Sequence, residues 1–176
     1  MCGITGFTWE DKALLKDMTN IISYRGPDDH GYHTDKRISL GHRRLSIIDL
    51  SRAGHQPMSD KEGSVTIVFN GEIYNFQELR KQLQDRGHRF ATDSDTEVIV
   101  HLYEDEGVSC LRKLRGMFAF ALWDTRREIL FCARDRMGKK PFCYTLTRQS
   151  FVFGSEIKAI TADQDVSVSP DYHAID

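Results

Sequence analysis

Residues 117–154 read MFAFALWDTRREILFCARDRMGKKPFCYTLTRQSFVFG, and this stretch decides the fold class. Four apolar runs, MFAFALWD, EILFCARD, PFCYTL and SFVFG, succeed one another with turn residues between them, which predicts four consecutive strands in antiparallel hairpins. Upstream, CGITGF suits a short strand, and Leu14, Leu15, Met18, Ile21 and Ile22 recur at helical spacing across residues 11–24. RGPDDHG, residues 25–31, is read as a structured loop, followed by strands around Tyr32 and over 38–48. A β-branched strand over 65–69 is predicted to stop at Asn70-Gly71, a pair that tolerates positive φ. Two helices follow: one capped by Asn75, with Phe76, Leu79 and Leu83 buried and Gly87 ending it, and one opening with Ser94 and Glu97 as a capping box. Strands joined directly to strands, with the helices grouped elsewhere, give an α+β class in a single domain.

The 176 residues suffice for a core that buries roughly 70% of the unfolded surface. Lys+Arg 24 against Asp+Glu 26 gives a formal net charge of -2, which offers no chain-wide attraction to nucleic acid or to an anionic membrane. No apolar stretch reaches the ~20 residues of a membrane span and the N-terminus has no signal-peptide pattern, so a cytoplasmic protein is expected. Cys2, Cys110, Cys132 and Cys143 form no CxxC pair, and none of the seven histidines is expected to meet another ligand at metal spacing; neither a disulfide framework nor a metal site is expected. Gly138-Lys139 fails as a phosphate loop, because Ala133 and Lys140 stand where Gly and Ser or Thr are needed. Arg134, Arg136, Lys139 and Lys140 are read as a solvated loop or a partner-facing surface.

Three sets of residues carry chemistry. Removal of Met1 would place a thiol and a free α-amine on Cys2, a nucleophile and a base on one residue; with Met1 retained, that amine is absent and the form is expected to be inactive. Cys2 on its own is equally a small buried hydrophobe. Asn70 and Gly71 can aim an amide side chain and a backbone N–H at a developing oxyanion, though Asn-Gly is also a strong hairpin-turn signal. Arg44 can grip a carboxylate while Glu72 and Asp95 accept from an ammonium group, which would recognise a zwitterion; singly, each is also an ordinary surface charge or helix-terminus residue.

The ordered segments MCGITGF, RGPDDHG, GHRRLSIIDLS, GHQPM, FNGEIYNFQELR, SDTEV, GMFAFALWD, ARDRMGKKP and GSEIKAI span nearly the whole chain. On them the sequence resembles the glutaminase domain of class II glutamine amidotransferases, in particular the asparagine synthetase (glutamine-hydrolysing) family. The resemblance implies an N-terminal-nucleophile hydrolase fold, a four-layer αββα sandwich. It implies that Cys2 is the nucleophile, Asn70 and Gly71 the oxyanion pair, Arg44 the carboxylate clamp, and Asp95 and Glu72 the contacts to the α-amino end. The backbone after the arginine, including Leu45, Ile47 and Ile48, is expected to line the pocket. L-Glutamine would be hydrolysed to glutamate and ammonia through a thioester without a cofactor, and the ammonia passed to a synthetase domain that amidates aspartate. ATP and Mg²⁺ belong to that domain, for which no SGGxDS motif is present here. Residues 161–176 are expected to be a tail or the start of a linker to it. Other class II enzymes serve an amino sugar or a secondary metabolite, and a non-catalytic interaction domain is the rival from another class; a homodimer is left open.

Overall fold

The computed structural model describes residues 1–147 and 150–169. Its strands are β1 (Gly3–Phe7), β2 (Asp29–Asp35), β3 (Ile38–Arg44), β4 (Met58–Ser59), β5 (Val65–Ile73), β6 (Gly116–Asp124), β7 (Ile129–Arg134), β8 (Cys143–Leu146) and β9 (Phe151–Gly154), and its helices α1 (Lys12–Ile21), α2 (Phe76–Asp85), α3 (Asp95–Glu106) and α4 (Ile157–Ile160). They form two antiparallel sheets, ordered β2-β3-β1-β9-β8 and β4-β5-β6-β7.

The period-two alternation of each strand sends its side chains to opposite faces, and the layers follow from where they go. From β6, Ala119, Ala121 and Trp123 join Val68 of β5 and Ile4, Ile38, Leu40 and Phe153 of the first sheet, so one core lies between the sheets. From the same strand Phe118, Phe120 and Leu122 turn the other way, packing with Ile67 and Phe69 against Leu79 and Leu83 of α2 and Val98, Ile99 and Leu102 of α3. On the far side of the first sheet, Phe7 and Val152 meet Leu15 and Met18 of α1 and Ala159 and Ile160 of α4. The order is helices, sheet, sheet, helices, as the resemblance implies.

The two predicted hairpins form, one in each sheet: β6 pairs with β7, and β8 with β9. Three local expectations are corrected. RGPDDHG is not loop throughout, because β2 starts at Asp29 and pairs with Arg44. Strand β3 ends at Arg44 rather than at 48, leaving 45–49 as a loop that faces the pocket described below. Asn70 and Gly71 do not end a strand; β5 runs through them to Ile73, opposite Ala119 and Phe118, and neither has positive φ. Glycine is needed at 71 for close approach, since a Cβ would lie 2.4 Å from the Met117 carbonyl oxygen.

The caps differ as well. Asn75 uses its side chain outward, donating to Lys113 O (3.0 Å) and accepting from Arg115 N (3.0 Å), so it ties α2 to the start of β6 instead of capping. Ser94 caps α3 through Thr96 N, but Glu97 accepts from Ala91 N and Thr92 N, so the box does not close. Part of the expected 161–176 tail is packed, with Ala162 and Val166 against the outer core; residues 170–176 lie outside the described residues. Among the described residues no helix is long and apolar enough to cross a membrane.

Candidate active site

Cys2 stands at the entrance of β1, and three interactions fix its backbone and side chain. Arg25 Nε donates to Cys2 O (3.0 Å) while its Nη1 pairs with Glu156 Oε1 (2.8 Å). Ser155 Oγ accepts from Ile4 N at 2.9 Å, locking the next turn of the pleat. The Sγ atom lies against the backbone of Leu45, 3.3 Å from its N and 3.5 Å from its O. Burial pushes the Cys2 thiol above its ordinary value, only partly offset by the Leu45 contact, so the resting group is the thiol and its use as a nucleophile requires a base. Arg25, Ser155 and Glu156 were not singled out by the sequence reading; no local pattern marks a residue whose partner is more than a hundred positions away.

Around Cys2 the pocket gathers every residue expected to share it. Arg44, Leu45, Ile47, Ile48, Asn70, Gly71, Glu72 and Asp95 all line the cavity that holds Cys2. Among the described residues no histidine lines it. His42, fully buried, bonds the Phe69 carbonyl at 3.0 Å and is driven by desolvation to a pKa of about 3, so it is a neutral core residue linking the sheets.

Asn70 is 1% exposed, and neither Nδ2 nor Oδ1 has a hydrogen-bond partner. A buried amide left unpaired on both atoms costs the fold free energy, so its orientation into the pocket calls for a partner from outside the chain. Arg44 divides its guanidinium: Nη1 donates to Ser51 O (2.7 Å) and Nη2 to Asp49 O. It therefore shapes the loop after β3 as well as charging the pocket, and Gly54 makes room for it, since a Cβ there would meet Nη2. Asp95 opens α3; its Oδ2 accepts from Ile73 N (2.8 Å), and burial, with Glu72 adding to it, raises its pKa to about 6.

Two further lining residues come from segments read otherwise. Gln56 spans the pocket floor, Oε1 accepting from Phe69 N (2.7 Å) and Nε2 donating to Thr96 Oγ1 (3.2 Å), which holds β5 against α3. Lys140, expected in a solvated loop or on a partner-facing surface, is 6% exposed, and its Nζ lies 3.1 Å from Met1 Sδ. The turn it belongs to is built on Asp135, which accepts from the amides of Phe118, Met137, Lys139 and Lys140. The expectation that no histidine meets another ligand is also corrected, because His88, His101 and Glu104 converge away from this pocket.

The cleft brings together a thiol, an orphan amide, two buried cations, Arg44 and Lys140, and the carboxylates of Asp49, Glu72 and Asp95. A family model for a glutamine amidotransferase domain matches residues 1–176. The chain is 46% identical over 97% of its length to asparagine synthetase [glutamine-hydrolyzing] 3 of Bacillus subtilis, and spans 29% of that protein. It is 42% identical, over 92% of its length, to amidase chyE of Penicillium rubens, of which it spans 26%. In structure it is similar to the glutamine phosphoribosylpyrophosphate amidotransferase of B. subtilis, with TM-score 0.75 over 92% of this chain and 43% of that one; at 24% identity this likeness concerns the fold. A fold, a pocket and a family match over the same residues agree: the chain belongs to the glutamine amidotransferase domain family.

Proposed function

We propose that this domain hydrolyses the side-chain amide of L-glutamine, with Cys2 as nucleophile once Met1 is removed. The freed α-amine takes the thiol proton, Sγ bonds to the amide carbon, and negative charge develops on the carbonyl oxygen. Asn70 Nδ2 and the Gly71 N–H receive that charge. Collapse breaks the C–N bond, the protonated amine returns its proton to the departing ammonia, and water then hydrolyses the thioester to glutamate. Arg44 holds the substrate carboxylate, Asp95 and Glu72 its ammonium group, and Leu45, Ile47 and Ile48 wall the aliphatic part. This half-reaction needs no cofactor.

The single observation that carries this reading is the unpaired Asn70 amide in the same buried cleft as Cys2. The share of about 29% that the chain spans of its Bacillus relative supports a further domain, for which we propose ATP- and Mg²⁺-dependent amidation of aspartate in the cytoplasm. The resemblance to fungal amidases favours a second reading, in which the same glutaminase serves a different acceptor.

The test is ammonia release from L-glutamine by protein shown by intact mass to begin at Cys2. Activity is expected in the processed form and absent from Cys2→Ala and from protein retaining Met1. Equal rates in all three would remove Cys2 from the mechanism, and silence from folded, processed protein would support the interaction-domain alternative.

A further inference from the structure

On the face of α3 turned toward the end of α2, two imidazoles and a carboxylate point at one another. His88 Nδ1 and His101 Nδ1 are 3.1 Å apart, His101 Nδ1 and Glu104 Oε2 2.7 Å, and His88 Nδ1 and Glu104 Oε2 3.8 Å. A point in that triangle lies about 2 Å from all three atoms, the length of a zinc–nitrogen or zinc–oxygen bond. Glu104 is 31% exposed at its side chain, so water reaches the open side.

The outer groups fit the same use. His88 Nε2 faces Asp105 Oδ1 at 2.9 Å, and His101 Nε2 faces Glu97 Oε1 at 3.6 Å. His88 thus has a carboxylate on its far nitrogen, which favours the proton there and leaves its Nδ1 lone pair facing inward, as metal-bound histidines require, whereas His101 Nε2 is buried without a hydrogen bond, with Glu97 the nearest carboxylate. Four carboxylates, Glu97, Glu104, Asp105 and Glu106, surround the cluster, against two cations on its outside, Arg86, which pairs with Asp105 and Glu106, and Lys113, which pairs with Glu106. The balance favours a cation. Helical spacing produces the cluster: Glu97, His101 and Glu104 fall at i, i+4 and i+7 on α3, and the turn after α2 delivers His88.

We propose that His88, His101 and Glu104 form a binding site for one borderline divalent transition-metal ion, Zn²⁺ by ligand type, with a fourth position open to water. The ion would clasp the turn after α2 to α3, the helix whose first residue is Asp95. The two nitrogens supply neutral donors and the carboxylate one negative charge, as in other His₂–carboxylate zinc sites.

The test is Zn²⁺ titration of the full chain, stripped with a chelator, by calorimetry, together with the visible spectrum of the Co²⁺-loaded protein. Saturable uptake of one ion per chain is expected, with a d–d spectrum free of thiolate charge transfer and a higher Tm. His88→Ala and Glu104→Gln should each weaken uptake at least about tenfold, and Asp105→Asn, which meets His88 at its far nitrogen and pairs with Arg86 outside the cluster, by less. Glu104 and Asp105 lie on the exposed side of α3, so those two variants keep the test alive if His88→Ala does not fold. Absence of saturable uptake would mean that the imidazoles share only a proton. A thiolate band lost in Cys2→Ala would place the ion at Cys2. Uptake unchanged in all three variants would move it elsewhere, and each of these results overturns the proposal.

Discussion

Asp95 and Asp135 are both almost fully buried, 4% and 6% exposed, yet the fold treats them in opposite ways. Asp135 accepts from four backbone amides, and these hold its carboxyl below the usual range despite desolvation. Asp95 accepts a side-chain bond from Ile73 N, and there desolvation dominates, lifting it to about 6. The difference lies in the balance of desolvation against the amides that face each carboxylate, with Glu72 adding to the rise at Asp95. At the turn after β7 four amides surround one carboxylate and tie the turn together; in the pocket Asn70 is left without a partner and Asp95 is desolvated, and these are the groups proposed to hold the substrate. If that contrast is right, substitutions in the pocket should damage catalysis more than stability, and substitutions in the turn the reverse.

The largest expected effect is at Asn70. Asn70→Ala should lower kcat by about 10²–10³, the scale of one oxyanion donor, while Tm hardly falls because the amide has no partner within the chain to lose. Steady-state rates beside a melting curve check both halves; a large loss of Tm with kcat intact would reverse the contrast. Arg44→Ala should come next, raising KM for glutamine by about 10–100-fold through loss of a charge-assisted pair. Here the contrast blurs, because Arg44 also donates to Ser51 O and Asp49 O, so Tm should fall too, and Arg44→Lys should recover stability better than KM.

The blurring at Arg44 shows what the sequence could convey. The family resemblance makes it the expected carboxylate clamp, but its observed use, bracing the loop after β3, depends on carbonyls whose orientation no residue type reveals. The strands and helices were legible because apolar periodicity is local, and so was the α+β class. Pairing was not: the two C-terminal hairpins have the same pattern, and only packing assigns β6 and β7 to one sheet and β8 and β9 to the other. Asn70-Gly71 reads as a turn by local preference, and the ladder with β6 overrides it. Lys140 was misread for the same reason, since a basic run looks solvated until Asp135 folds the turn inward. The site residues themselves were legible mainly through the family resemblance, each being ambiguous on its own chemistry.

Asp95→Asn separates function from stability within one residue. Loss of the carboxylate should raise KM for glutamine about tenfold, because the ammonium group loses a charged acceptor. Stability should move the other way. With its pKa raised from 3.8 to about 6, Asp95 stabilises the folded state at pH below the unfolded value, and that contribution is lost as pH rises through about 6. At pH 7.5 the wild type therefore carries a buried charge that the amide lacks, and Asp95→Asn should be more stable by up to about 3 kcal/mol. Chemical denaturation at pH 4 and pH 7.5 checks this: the gain should be present at the higher pH and shrink at the lower. A variant less stable at both would mean that the Ile73 bond outweighs the desolvation.

Asp135→Asn should have the smallest effect on the chemistry and the opposite sign in stability. Replacing one carboxylate oxygen by an NH₂ group turns a donor toward backbone amides that are themselves donors, at a cost of about 1–3 kcal/mol. Because the folded pKa is lowered, the wild-type contribution is present above the unfolded value of 3.8 and lost as pH falls through the folded one, so the penalty of the variant should be full at pH 7.5 and fade in acid. Turnover per folded molecule should fall less than tenfold, since Asp135 reaches the pocket only through the placement of Lys140. Measuring both variants across one pH series makes the comparison decisive: from pH 7.5 to pH 4 the advantage of Asp95→Asn should shrink away while the deficit of Asp135→Asn holds, to contract only as pH falls below 3.8. Parallel curves would show that the two carboxylates are solvated alike, and that the balance of desolvation against donors is not what divides the pocket from its support.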